Sequence, residues 1–241
     1  MKTTYLFLTA AFCLNVFTSC MAGSSKKITE TRNVQPYTSI QMDGVASIHF
    51  TQGTTCSLRI EGEEEQVKNL ITRVENEKLI IDQKTKKKKN NNGVDVYLSA
   101  PTLKEVSFDG VGSFKCPKAL KVEDIRFDID GVGSVEVADL HCRNIKLEVD
   151  GVGNTEIHTD CNSIEADYDG VGNNKLSGKA DRVHVRKDGV GSTRIDIDCH
   201  DLKAELDGIG KTTFSGKADQ ADIKKDGMGS CNTNGLEIGR K

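Results

Sequence analysis

From residue 109 onward the chain alternates apolar and polar positions in short runs, as in "IKLEV" from Ile145, "VHVRK" from Val183 and "TRIDI" from Thr193. A period of two is the mark of a strand, and no stretch of this half keeps helical spacing for a usable length. The runs are punctuated by one recurring phrase: "DGVGSVEV" begins at Asp130, "DGVGNTEI" at Asp150, "DGVGNNKL" at Asp169 and "DGVGSTRI" at Asp188. The motif aspartates are Asp109, Asp130, Asp150, Asp169, Asp188, Asp207 and Asp226, separated by 21, 20, 19, 19, 19 and 19 residues. The last two copies change only the third letter, to Ile209 and Met228, and a "DGVAS" at Asp43 reads as a degenerate earlier copy. A fixed short period signals a repeat architecture. Nineteen residues cannot hold a strand and a full helix with their turns, so each repeat predicts one all-strand coil. The expected fold class is all-β, a single right-handed parallel β-helix (solenoid) with coils of 19–21 residues, stacked about 4.8 Å apart.

A longer period supports stacking in register. "TEIHTDCNSIEADY" from Thr155 resembles "TRIDIDCHDLKAEL" from Thr193, and "NKLSGKADRVHVRK" from Asn174 resembles "TTFSGKADQADIKK" from Thr212, a 38-residue unit of two coils. Alternate coils then place opposite charges at matching outward positions. One such row is Asp160, Lys179, Asp198 and Lys217; another is Asp167, Arg186, Glu205 and Lys224. A slip of one coil would set like charges together, so these rows help to specify register. Inward columns are expected at Ile157, Leu176, Ile195 and Phe214, at Ile164, Val183, Leu202 and Ala221, and at the small residues Cys161, Ala180, Cys199 and Ala218.

Ahead of Asp109 the pattern loosens. Strands are suggested at "YTSIQMDG", "SIHFTQG", "CSLRIEG", "ITRVENEKLIIDQ" and "VDVYLSAP", with "KTKKKKNNNG" from Lys84 as an exposed basic loop. Residues 28–108 read as irregular opening coils and a cap of one β-helix domain spanning 28–241, whose regular repeats occupy 109–241; a separate small β domain is the alternative. Residues 1–19, "MKTTYLFLTAAFCLNVFTS", put one lysine before an apolar run too short to cross a bilayer, which is the form of a secretory leader. The leader runs into Cys20 through "FTSC", the form of a lipoprotein signal peptide with Cys20 as the lipidated first residue of the mature chain, and residues 20–27 follow as a flexible tether. Cleavage near Ala22 is the other reading.

Composition adds exclusions. The 241 residues carry a formal net charge of −3, which becomes −4 when the leader with Lys2 is removed, so neither nucleic acid nor an anionic lipid surface is an expected partner of the folded part. The five histidines show no recurrent ligand spacing, and His141–Cys142 and Cys199–His200 would point to opposite strand faces, so neither a zinc site nor a Cys–His nucleophile is expected. No cofactor is expected.

A family resemblance rests on the order of several of these segments. The lipoprotein leader, "RNVQPYTSIQMDGVASIHFTQG", the "KLIIDQ" strand, "VYLSAPTLKEVSFDGVGSF" and the serial Gly-X-Gly turns resemble the bacterial family described as putative auto-transporter adhesin, head GIN domain, over roughly Ile28 to Leu236. The resemblance implies a right-handed β-helix in the cell envelope and supplies no catalytic residues.

Three features could carry function. A calcium site on the aspartate row lacks the doubled glycines and second aspartate of calcium-binding β-rolls, so each aspartate is expected to bond nearby backbone N–H groups, ahead of a glycine free to take positive φ. If alternation continues through the motif, its glycines face inward. Val111, Val132, Val152, Val171, Val190, Ile209 and Met228 then form an outward aliphatic stripe, a candidate interaction surface flanked by Ser113, Ser134, Asn154, Asn173 and Ser192. A bulge at the glycines would instead turn the stripe inward as core. Among the cysteines beyond Cys20, only Cys142 and Cys161 match in adjacent coils, and the column reads mainly as free thiols alternating with alanine. The expected function is a non-catalytic, adhesin-like or ligand-binding envelope lipoprotein in the outer membrane. Its partner would be a glycan or a surface protein, with membrane contact through the lipid anchor alone. A polysaccharide-active enzyme and a self-associating scaffold are the rivals.

Overall fold

The computed structural model describes residues 26–84 and 93–239. The leader, Cys20, most of the tether and the basic loop from Thr85 to Asn92 lie outside the described residues. In chain order the elements are β1 (Lys27–Arg32), β2 (Ser39–Met42), β3 (Val45–Gln52), β4 (Ser57–Glu63), α1 (Glu64–Asn69), β5 (Leu70–Glu75), β6 (Lys78–Gln83), β7 (Val94–Ala100), β8 (Glu105–Phe108) and β9 (Val111–Cys116). They continue as β10 (Leu120–Lys121), β11 (Asp124–Ile129), β12 (Val132–His141), β13 (Asn144–Val149), β14 (Val152–Tyr168), β15 (Val171–Lys187), β16 (Val190–Leu206), β17 (Gly210–Lys225) and β18 (Gly229–Ile238).

These strands wind into a β-solenoid with two long ladders. One runs β1–β4–β7–β3–β9–β12–β14–β15–β16–β17–β18. The other runs β5–β6–β2–β8–β11–β13 and then continues through the second halves of β14 to β17. From β14 on, a single long strand crosses both ladders, and the DGVG motif is the corner that returns the chain to the first. Register follows the motif: Val111, Val132, Val152, Val171 and Val190 pair in one continuous row.

The opening coils depart from sequence order. The coil built on Asp43, β2–β3, is flanked by β8–β9 on one side and by β6–β7 on the other. The chain therefore lays down its second coil first, goes out to the end of the stack, and crosses back. Antiparallel strands close that end, β4 on β7, β1 on β4 and β5 on β6. The β5–β6 hairpin turns on Asn76 and Glu77, both at positive φ, as a tight two-residue hairpin requires. Arg32 ties the cap together, donating to the carbonyls of Val67 and Leu70 at 3.0 and 2.9 Å and to the Thr72 hydroxyl at 3.1 Å. At the other end the second half of β17 is an edge, and Asp219, Asp222, Lys224 and Lys225 stud it with charge of the kind that discourages strand addition.

The interior is a bundle of columns. Ile157, Leu176, Ile195 and Phe214 are all buried and in register, as are Ile164, Val183 and Leu202. Aromatic rings fill the early coils, where Phe114 stacks on Phe50 and meets Phe127 edge-on, each at a centroid spacing of 6.1 Å. The later, shorter coils use mainly aliphatic residues, alanine and threonine, with Tyr168 and Phe214 also buried. No coil could bury this face alone, so each depends on the next.

The motif glycines answer to that stacking. A Cβ on Gly153 would sit 1.6 Å from the Gly133 carbonyl oxygen of the preceding coil, and one on Gly151 would sit 2.1 Å from that of Gly131. Positive φ is not the shared reason: Gly191 has φ 137°, but Gly153 and Gly172 do not fall in that region. What every copy has in common is backbone lying against backbone with no room for a side chain. Gly153→Ala is expected to lower the thermal midpoint more than Leu176→Ala, a core truncation that costs about 2–5 kcal/mol. Circular dichroism melts of the two variants check the order.

Candidate functional site

The alternation does continue through the motif. In coil after coil the exposure order is aspartate out, first glycine in, third letter out and second glycine half-buried, and Asn154, Asn173 and Ser192 then point out while Ser113 and Ser134 are half-buried. Val111, Val132, Val152, Val171, Val190 and Ile209 are 45–52% exposed and Met228 is 81% exposed. The glycines make this arrangement, because their missing side chains let the corner lie flat on the coil below and leave the third residue only the solvent side. The result is a straight aliphatic ridge with side chains repeating at the strand spacing, about 4.8 Å.

The two flanks of the ridge differ. On one side is the aspartate row. No motif aspartate from Asp109 to Asp226 makes a side-chain hydrogen bond among the described residues, which corrects the expectation that these carboxylates bond local backbone N–H groups. Burial, and then the neighbouring carboxylates, hold Asp130 and Asp150 above the ordinary aspartate range. The corner is instead held by main-chain bonds to the preceding coil, such as Gly151 N–H to the Ile129 carbonyl at 2.9 Å and Val152 N–H to that of Gly131 at 3.0 Å. Beneath the row, Lys187 is buried in the column that includes Tyr168 and Leu206. Its Nζ donates to the Gly191 carbonyl at 2.7 Å, and burial pushes its pKa below the usual lysine value. Among the described residues no group of three or more His, Cys, Asp or Glu side chains is arranged to hold a metal ion.

The other flank is uncharged in its middle coils. Asn173 donates from its backbone N–H and its Nδ2 to Asn154 Oδ1 at 3.2 and 3.1 Å, which joins the two asparagines of the Ser/Asn row. Beyond it lies a shallow depression of about 510 Å³, lined by Asn154, Asn173, Lys175, Ser192 and Arg194 among others. Lys175 reaches Glu156 there at 2.7 Å. Ridge, polar ladder and depression together form a flat, repetitive face. It can offer aliphatic contact, amide and hydroxyl hydrogen bonds, and the guanidinium of Arg194.

The charged rows are paired only in part. Arg186 binds Asp167 of the preceding coil through two contacts, at 2.7 and 3.2 Å. Lys203 and Lys224 turn along their own strands, to Glu205 at 2.7 Å and Asp222 at 3.8 Å. Asp160 and Lys179 are in register but form no ion pair, so the expected pairing is absent from that row. The five histidines do not converge. His49 meets Asp95 at 2.9 Å and stacks on Tyr97 at 4.7 Å, with Arg59 3.9 Å over the same ring. His200 meets Asp219 at 2.7 Å.

Sequence reasoning missed a second depression, of about 690 Å³, on the other ladder, lined by Glu165, Arg182, His184, Asp201 and Lys203 among others. The column Glu165, His184, Lys203 and Asp222, spaced by 19 residues, was a legible signal for it. Its charges alternate and its lining holds no exposed aliphatic row.

A family model described as putative auto-transporter adhesin, head GIN domain, matches residues 36–196. The structure of a putative adhesin from Bacteroides fragilis is similar at 25% identity and TM-score 0.78, over 87% of this chain and 97% of that one. A putative adhesin from Parabacteroides distasonis aligns at 18% identity and TM-score 0.67, over 90% and 98%. A putative lipid binding protein from the same species aligns at 21% and 0.62, over 87% and 97%; at these lower identities the likeness is one of fold. No curated protein matches the chain.

Two outcomes follow from the site. Val171→Ser is expected to shift the unfolding free energy by no more than about 0.5–1 kcal/mol, as an exposed position allows; a large loss in denaturant titration would mark the valine as core. The raised pKa of Asp150 means that its ionised form opposes folding. That penalty is absent below the ordinary aspartate range and present once pH rises through the raised value. Asp150→Asn is therefore expected to raise the thermal midpoint at pH 7 and to leave it unchanged near pH 3.

Proposed function

The chain belongs to the family described as putative auto-transporter adhesin, head GIN domain, and from that premise we propose that it is an exported, non-catalytic binding module of the cell envelope. It is anchored through a lipid on Cys20 and holds its ligand on the flat face built from the third letters of the DGVG motif. The observation that carries this reading is the exposed row Val111, Val132, Val152, Val171, Val190, Ile209 and Met228. Coil stacking needs the glycines but asks nothing of the residue between them. A serine or lysine at that position would keep the corner and spare the chain an exposed apolar row, and contiguous rows of this kind mark contact surfaces. The ridge is narrow and regular, which suits an extended partner that can lie along several coils. A glycan chain or a surface protein presenting an extended segment fits it better than a compact small molecule, which prefers an enclosed pocket.

The names carried by similar proteins support the adhesive half of this reading, since structures aligning over most of this chain are described as putative adhesins. A display of glycans and extracellular-matrix proteins, probed with the wild-type protein and with the triple variant Val152→Lys, Val171→Lys, Val190→Lys, tests it. Binding by the wild type, lost at least about tenfold in a variant that still melts cooperatively, is the expected result. Equal binding by both proteins would move the site off this face. Shortening of a bound glycan would replace the binding module with an enzyme. Concentration-dependent oligomers of the wild type that the triple variant fails to form would assign the face to self-association.

A further inference from the structure

Cys142 and Cys161 stand side by side in adjacent coils. The β12–β14 register pairs Leu140 with Thr159 and His141 with Asp160, and the Cys142 N–H donates to the Asp160 carbonyl at 3.2 Å, so the next residues along, the two cysteines, face each other. Neighbouring strands set the Cα atoms about 4.8 Å apart, inside the span a disulfide bridges. Both are free thiols, Cys161 buried and Cys142 half-exposed. Direct interaction between the sulfurs favours the thiolate at Cys161 and keeps Cys142 protonated, so the pair gives up a first proton more readily than isolated buried thiols would.

Their place in the fold gives the pair a purpose. The register between β12 and β14 shifts between Val137 and Leu140, and the chain leaves strand geometry at Cys142 and Arg143 before β13 begins. From β14 onward the corresponding corner is unbroken strand. The cysteines therefore meet where the early, longer coils join the regular ones, beside the discontinuity itself.

We propose that Cys142 and Cys161 are an oxidisable pair, converted by a disulfide oxidant into a cross-link that fixes the register of the early coils against the regular stack. The pair loses a proton, and the thiolate attacks one sulfur of the oxidant disulfide, breaking its S–S bond, releasing one thiolate and forming a mixed disulfide. The second cysteine, deprotonated, then attacks the protein sulfur of that mixed disulfide and expels the other half of the oxidant. Two thiols are oxidised to one disulfide, and the oxidant disulfide takes up two electrons and two protons to become two thiols. The proposal is independent of which face binds ligand.

Cys199 provides an internal control. It lies between Ala180 and Ala218 in the same column, so no sulfur stands one coil away. The same alanines show that Cys161→Ala fits the column. The test incubates the purified protein with glutathione disulfide, alkylates it under denaturing conditions and maps its peptides by mass spectrometry. The expected product links the peptides containing Cys142 and Cys161 and leaves Cys199 alkylated. Oxidation should raise the thermal midpoint by on the order of 5 °C in the wild type and by nothing in Cys161→Ala. The proposal is overturned if both cysteines remain alkylated, if Cys142 stops at the mixed disulfide with glutathione, or if a linked protein melts no higher than the reduced one.

Discussion

Backbone meets backbone at the DGVG corner, and the rest of the molecule is arranged around that contact. Gly153 lies so close to the carbonyl of Gly133 that no side chain fits between them, and the same is true one coil later for Gly172 against Gly153. This approach lets successive corners stack flat and keeps them in register. It also decides where the intervening residue points. With the glycines turned in and pressed against the coil below, Val152 and its counterparts are left to solvent. The ridge is thus a by-product of stacking in its position but not in its chemistry, since any outward side chain would satisfy the corner.

The other features complete what the glycines begin. Inward columns supply the cohesion, with more rings in the early coils and more aliphatic and small residues in the later ones. Charge supplies specificity. Arg186 on Asp167 and Lys175 on Glu156 reward the native register, although each pair is exposed and contributes modestly. The aspartate row works against the stack: burial first, and then the neighbouring carboxylates, raise the pKa values of Asp130 and Asp150, and no side-chain hydrogen bond relieves them. Repulsion of this kind is tolerated because the main-chain bonds at the corner do not depend on the carboxylates.

Much of this could be read from spacing alone. A 19–21-residue period and alternation within it were enough for the coil and the columns, but they left Val152 either outward or turned inward by a bulge, and the exposure of the valine row decides for outward. A cap was expected, but its topology was not legible. Its antiparallel strands β1, β4 and β5 carry no repeat, and nothing in the order of segments says that β6–β7 lies outside β2–β3. Local chemistry misled in one place. An aspartate ahead of a glycine suggests a side chain folded onto its own backbone, yet at these corners the neighbouring coil already takes up the main-chain groups. The depression on the second ladder was missed because the outward column Glu165, His184, Lys203 and Asp222, which falls between the two charge rows, mixes charge with an imidazole and was not followed from coil to coil.

The face that repeats at strand spacing and the charged edge of the second half of β17 both follow from one stack of coils. The most direct test of the account is a set of distances along the ridge. Pairs of cysteines carrying spin labels, placed at Val111 with Val190 or with Ile209 on a background lacking the native cysteines, would be measured by pulsed electron paramagnetic resonance. Four and five coil steps predict mean separations of about 19 and 24 Å in narrow distributions, with both sites labelled rapidly in the folded protein. Separations that fail to grow by one strand spacing per coil, or labels that react only after unfolding, would contradict it.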